Sequence, residues 1–279
     1  MRSGRLVLAA CAVLVGSSLT VASRADTGRT VYVAGIDSKG NALDTLIADD
    51  LSVTVDGQPR PITKLIPATD PIDLAILDDD HGNGLYAPAI GQLIQTLGDR
   101  ARYSIGTFTP ALVEIAGYTT DTTKLRTAVQ RLGRRGTIDN AGRELETAIL
   151  DVAAQLKQQA TPRHVIVVFT MGGEGTAINP SSTMDDLAES GAMLNVVFQA
   201  AARLGPLTSD GPDQSGGRLE RILGEAAAGA AVARVCQVLL RQYALTYAMP
   251  ERAKSSGRIR VSTTRKGVTL LAPTRVPAR

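Results

Sequence analysis

Two almost uninterrupted apolar runs, Ile72-Asp73-Leu74-Ala75-Ile76-Leu77 and His164-Val165-Ile166-Val167-Val168-Phe169, restrict the fold more than any other feature of the sequence. A strand with one wet face alternates apolar and polar residues. A short run without alternation suits a strand buried on both faces, the condition of a parallel sheet. Helical patterns lie between and around the runs. Residues 85–97 carry apolar positions at helical spacing, 122–132 reads as a helix with Asp121 as N-cap, and 140–159 is long and amphipathic with Leu145, Ile149, Val152 and Leu156 on one face. Short strands are expected at 103–108, 112–116 and 193–198, and a helix at 183–190. A loop rich in Gly, Pro, Ser and Asp covers 203–217, followed by helices at 218–227 and 231–242. Strands separated by helices mean βαβ units. The expected class is α/β: a doubly wound, mainly parallel Rossmann-like sheet with helices on both faces, over residues 68–241.

The two ends read differently. Residues 30–36 and 51–55 alternate and are closed by the turns Asp37-Ser38-Lys39-Gly40-Asn41 and Asp56-Gly57. Residues 243–249, 259–261 and 268–271 are further strands, and no helix covers either end. The segments 26–67 and 242–279 are therefore expected to pair into one small β subdomain. The stretch 250–279 holds eight basic residues against Glu251 alone, a pattern that suits a solvated, charged sheet edge.

Residues 1–25 read as a secretory signal peptide. Arg2 and Arg5 precede an apolar run, and Ser23-Arg24-Ala25 places small residues for cleavage before Asp26. The run is shorter than the roughly 20 residues of a membrane span, so no span is expected after cleavage. A second reading stays open: Leu8-Ala9-Ala10-Cys11 resembles a bacterial lipobox, which would lipidate Cys11. An uncleaved leader serving as an anchor is the remaining alternative; cleavage and lipidation both imply export to the periplasm or beyond.

Composition removes several functions. The formal charge of +3 includes Arg2, Arg5 and Arg24; without the leader, 27 basic residues face 27 acidic ones, which gives no electrostatic case for nucleic acid. Aromatic residues are 3% with no Trp, which disfavours readers that stack bases or sugars. Two His, His81 and His164, rule out a His-rich metal centre, and two Cys make no disulfide framework.

In an open parallel sheet, ligands bind beyond the carboxyl ends of the strands. Three segments bring polar residues there: Asp78-Asp79-Asp80-His81-Gly82, Arg134-Arg135-Gly136-Thr137-Ile138-Asp139 and Thr170-Met171-Gly172-Gly173-Glu174. With them stand the opening pattern Asp37-Ser38-Lys39-Gly40 to Asp56-Gly57 and the ending Arg241-Gln242-Tyr243-Ala244-Leu245-Thr246-Tyr247 to Gly257-Arg258-Ile259-Arg260-Val261. In this order and spacing, over residues 30–275, the sequence resembles the exported von Willebrand factor A-related proteins of bacteria. The resemblance implies a metal-ion-dependent adhesion site built from Asp-x-Ser-x-Ser after the first strand, a Thr from the second loop and an Asp from the third. Asp78 matches the first Asp and Gly136-Thr137 the second loop. Asp80 and Gly82 stand at the two Ser positions, and Met171 stands where the third loop should offer Asp. Glycine has no side-chain oxygen, and a thioether is a poor ligand for a hard cation. The resemblance thus implies a degenerate site of Asp78, Asp80 and Thr137 that holds Mg²⁺ or Ca²⁺ weakly if at all, on a non-enzymatic module that binds an unidentified protein partner.

The rival is an enzyme. Asp78-Asp79-Asp80 after an apolar strand also resembles the Asp-x-Asp of haloacid dehalogenase-like phosphatases, with Asp78 as nucleophile and Asp80 as general acid. That chemistry needs a Lys for the phosphoryl charge, and the first Lys after Thr170 is Lys254, beyond the central unit. An EF-hand starting at Asp79 fails because its twelfth position is Ile90.

Overall fold

The computed structural model describes residues 26–108, 112–132, 145–172, 180–250 and 257–276. The chain enters through β1 (Asp26–Asp37), β2 (Leu51–Val55), β3 (Gln58–Arg60) and β4 (Ile62–Pro67). The central unit follows: β5 (Ile72–Asp79), α1 (Ala87–Leu97), β6 (Ala101–Phe108), β7 (Leu112–Thr119), α2 (Thr122–Leu132), α3 (Leu145–Leu156), β8 (Arg163–Thr170), α4 (Pro180–Ser190), β9 (Met193–Gln199), α5 (Pro206–Ser215), β10 (Leu219–Ile222) and α6 (Ala228–Leu240). The chain then closes with β11 (Tyr243–Pro250), β12 (Ile259–Thr263) and β13 (Val268–Leu271).

The six-stranded central sheet has the order β10-β9-β8-β5-β6-β7. Every pair is parallel except β6–β7. All eight residues of β5 are buried, as its unbroken apolar run requires. Successive side chains leave a strand on opposite faces. Accordingly Ile72, Leu74 and Ile76 join a core with Leu93 of α1, Leu125 of α2 and Val232 of α6. Ala75 and Leu77 join the opposite core, with Ile149 of α3, Leu187 of α4 and Leu207 of α5. The chain leaves β5 towards β6 on one side and returns to β8 on the other, so the sheet is doubly wound with its switch point at the carboxyl end of β5.

The terminal segments meet as the sequence implies. A four-stranded antiparallel sheet, β13-β1-β11-β4, faces the three-stranded β12-β2-β3. Val31, Val53, Leu245, Tyr247 and Ile259 fill the space between them. Arg163, at the start of β8, fastens this unit to the central one. Its guanidinium is buried and donates to the carbonyls of Asp70 (2.9 Å) and Leu239 (2.8 Å) and to Oε1 of Gln242 (2.7 Å). It also lies 5.3 Å from the ring centroid of Tyr32 in β1.

Two elements differ from the sequence reading. Residues 206–215, expected as loop, form α5. Pro206 starts this helix, Gly216 at φ 79° ends it, and Pro212 is tolerated inside it. Its low intrinsic propensity is overridden by burial of Leu207, Thr208, Gly211 and Pro212. Residues 219–222, expected as helix, form the edge strand β10, whose burial alternates and which pairs with β9. The long helix expected over 140–159 is seen as α3; residues 140–144 lie outside the described residues.

Candidate strand-end site

Strand β5 ends on two buried acids, and a third follows: Asp78, Asp79 and Asp80 are 0%, 1% and 0% exposed. The turn after them is built on left-handed backbone at His81 (φ 55°), Gly82 (φ 79°) and Gly84 (φ 75°). Asp80 closes this turn. Its Oδ1 accepts the N–H of Gly82 (2.8 Å) and its Oδ2 that of Leu85 (2.7 Å), while Asn83 donates its side-chain N–H to the Asp80 carbonyl (2.9 Å). Both oxygens of this carboxyl group are thus engaged by its own loop.

Asp79 faces the loop after β8, because Asp79 and Thr170 are register partners at the ends of adjacent parallel strands. The Thr170 hydroxyl donates to Asp79 Oδ2 (3.0 Å) and accepts the N–H of Gly172 (2.8 Å). The Met171 N–H donates to the Asp79 carbonyl (3.0 Å). One buried hydroxyl therefore ties the two strand-end loops together. From the other face, buried Tyr86 stacks at 5.5 Å on Phe169 and donates its hydroxyl to the Thr170 carbonyl (2.9 Å). Burial first, then the charges of Asp78, Asp79 and Asp80, push the Tyr86 phenol well above its usual range, which keeps it a donor. His81 reaches back towards the cluster, with Nε2 3.8 Å from Asp79 Oδ1, and its side chain is 32% exposed.

The loop after β9 completes the rim. A Cβ on Gly172 (φ 85°) would stand 2.3 Å from Cβ of Ala202, so the loops after β8 and β9 touch. Beyond Ala202, Glu146 of α3 accepts the N–H of Leu207 (2.8 Å) at the start of α5. An acid at a helix N-terminus satisfies an otherwise orphaned donor and meets the favourable end of the helix dipole. Glu146 is not distinguishable in sequence from other helix acids, because its partner comes from a distant segment.

Of the three ligands expected from sequence, the structure places Asp78 and Asp80 on the same strand end. Thr137 lies outside the described residues. Asp80 is a loop-closing group. Of the residues that link the loops, Asp79 was expected only as an auxiliary oxygen donor beside Asp78, Asp80 and Thr137, and Thr170 was not expected as a ligand at all. A signal for Asp79 was present: Asp79-x-His81-x-Asn83 has the same spacing as Asp-x-Ser-x-Ser, begins at the last residue of β5, and carries a polar side chain at each position.

Comparison with solved structures identifies the architecture. A von Willebrand factor type A protein from Catenulispora acidiphila matches over 93% of this chain and 75% of its own, with TM-score 0.50 and 11% identity. The fold is that of a von Willebrand factor A domain. Proximal thread matrix protein 1 from the mussel byssus matches over 67% of this chain with TM-score 0.50 and 12% identity, and the chain spans 51% of that protein's length. The vWF domain of the type V pilus tip protein Mfa5 from Porphyromonas gingivalis matches over 62% of this chain and 96% of its own, with TM-score 0.48 and 9% identity. No protein-family model matches the sequence, and no curated protein matches it significantly. Among the described residues, no helix is long and apolar enough to cross a membrane.

The fold implies a divalent cation at the strand ends, and the described donors do not suit one. A hard cation needs several convergent oxygens. Here Asp80 is engaged by amides, Asp79 Oδ2 by a hydroxyl, and the third-loop position is the thioether of Met171. Among the described residues, no group of three or more His, Cys, Asp or Glu is placed to hold a metal ion.

Proposed function

We propose that the chain is an exported, non-enzymatic protein-binding module of the A type whose strand-end surface meets its partner without a bound metal. One observation carries the reading: the carboxyl groups of Asp79 and Asp80 are engaged by Thr170, Gly82 and Leu85, so the site is held in shape by the chain's own hydrogen bonds. The surface left for a partner includes His81, Asn83 and Met171. These offer hydrogen bonds and a polarizable thioether in place of a metal's open coordination position. The same geometry argues against phosphoryl transfer through Asp78 and Asp80. Asp78 is fully buried, and Asp80 is turned into its own loop, where it accepts the N–H groups of Gly82 and Leu85. Export rests on the leader expected in residues 1–25.

The test is affinity capture from the extracellular and periplasmic fractions of the native host, with the chain immobilised. The same partner is expected in excess EDTA and in Mg²⁺, with capture weakened by the paired exposed-loop changes His81→Ala and Asn83→Ala. Loss of capture in EDTA overturns the metal-free reading. N-terminal sequencing of the host protein checks export: a start near Asp26 agrees with cleavage, a lipid-modified Cys11 with the anchored alternative, and an intact Met1 contradicts both.

A further inference from the structure

We infer that the free edge of β7 is a second docking surface, one that takes an extended, acidic segment of another protein as an added strand of the central sheet. Strand β7 is the terminal strand of the sheet order and pairs only with β6 among the described residues. Such an edge presents backbone donors and acceptors to any incoming strand. At the other end of the sheet β10 has only four residues, whereas β7 has eight. Val113 on β7 is 53% exposed, and its neighbours Glu114 and Gly117 are exposed as well.

Beside this edge runs a groove of about 560 Å³ between β7 and α2, lined by Ile115, Tyr118, Lys124, Thr127 and Arg131 among others. The chemistry of the groove selects the occupant. Helix α2 lines the groove with two exposed cations, Lys124 and Arg131, and has no acid within Thr122–Leu132. The nearby acids, Asp121 and Glu114, are not among the residues that line the groove. Asp121 spends its Oδ1 on the N–H groups of Thr123 and Lys124, and Glu114 lies against Gly117 on β7. Lys124 and Arg131 are two helical turns apart, about 10.5 Å along the axis. A strand bearing acids on alternate residues sets them about 7 Å apart on one face, so two or three carboxylates span both cations. The residues between those acids point to the opposite face of the sheet, away from α2.

A second copy of this chain fits less well. Joining two β7 edges around a two-fold axis normal to the sheet sets the two α2 helices side by side on one face, with like charges opposed. The groove lies at the sheet edge, so its occupancy is independent of the strand-end reading.

The test uses the intact chain and a fluorescent peptide of alternating Glu and Val, read by anisotropy at low salt. A peptide of alternating Lys and Val is the charge control. An alternating Glu and Val peptide N-methylated on every second amide is the backbone control. The acidic peptide is expected to bind, at least about tenfold more tightly than either control, and the paired changes Lys124→Glu and Arg131→Glu are expected to weaken it at least about tenfold. Both positions are exposed, so the variant's unfolding midpoint should match the parent's. Failure of the acidic peptide to bind overturns the proposal. So does equal binding of the basic peptide, which denies charge selection, or of the N-methylated peptide, which denies strand addition. A concentration-dependent dimer of the free chain that is lost in the Lys124→Glu, Arg131→Glu variant also overturns it, in favour of a second copy.

Discussion

Replacing Thr170 by Val tests the hydrogen bond that joins the two strand-end loops. The methyl and hydroxyl of Thr and the two methyls of Val are similar in size, so no cavity forms. Thr170 is 0% exposed and Asp79 1%, so water does not readily replace the lost hydroxyl. Two bonds go together: the one to Asp79 Oδ2 at 3.0 Å and the one from the Gly172 N–H at 2.8 Å. Leaving a buried polar group unmatched costs about 1–3 kcal/mol, and more when it is a carboxylate. The Gly172 N–H is only part-buried, so the pair sums to roughly 2–4 kcal/mol. With a urea dependence of about 2–3 kcal/mol per molar, the unfolding midpoint should fall by roughly 1–2 M. Because the sequence has no Trp, far-ultraviolet circular dichroism is the suitable probe. Thr170→Ser keeps the hydroxyl and should lose only about 1 kcal/mol for the missing methyl. If Thr170→Val is as stable as Thr170→Ser, the hydroxyl does not hold these loops and the account of the site fails.

Three other outcomes follow from the packing. Arg163→Met should cost about 2–4 kcal/mol by stranding the acceptors of Asp70, Leu239 and Gln242, and should separate the melting of the two units in calorimetry; a single unshifted transition would contradict the fastening role. Burial pushes the Cys236 thiol up from 9.0 to about 11, so it should resist aromatic disulfide reagents at pH 8 until the chain unfolds. Because the folded value is the higher one, this group's contribution to stability is full below pH 9 and is lost as pH rises towards 11; a rise in urea midpoint over that interval would contradict the sign. Finally, the combined changes His81→Ser, Asn83→Ser and Met171→Asp should confer Mg²⁺ binding measurable by calorimetry, whereas Gly82→Ser with Met171→Asp should not, since Gly82 is buried at φ 79°; the reverse result would support the alignment that starts at Asp78.

The fold was legible where pattern and tertiary environment agree. The nearly continuous apolar runs at 72–77 and 164–169 announce parallel strands, and the helix-free ends announce the β unit. It was illegible where context outweighs local preference. The segment Pro206–Ser215 is helical because it covers β9 and takes a capping acid from α3, which no local window contains. The segment Leu219–Ile222 is a strand because β9 offers it a partner. At the candidate site, the resemblance pointed to the carboxyl end of β5, where the structure buries Asp78, Asp79 and Asp80. A run of three adjacent Asp leaves the starting residue ambiguous by one, and only the pairing of Asp79 with Thr170 singles out the acid that faces the third loop.

Calorimetric titration of the chain with Mg²⁺, and separately with Ca²⁺, tests the metal-free strand-end site most directly. Hydrogen bonds to Gly82, Leu85 and Thr170 already engage Asp80 and one oxygen of Asp79, and Met171 supplies no oxygen. No saturable heat from Mg²⁺ below the millimolar range is expected, and at most weak binding of Ca²⁺, which accepts irregular shells of oxygen ligands. Micromolar Mg²⁺ binding that disappears in Asp78→Ala or Asp79→Ala would contradict it.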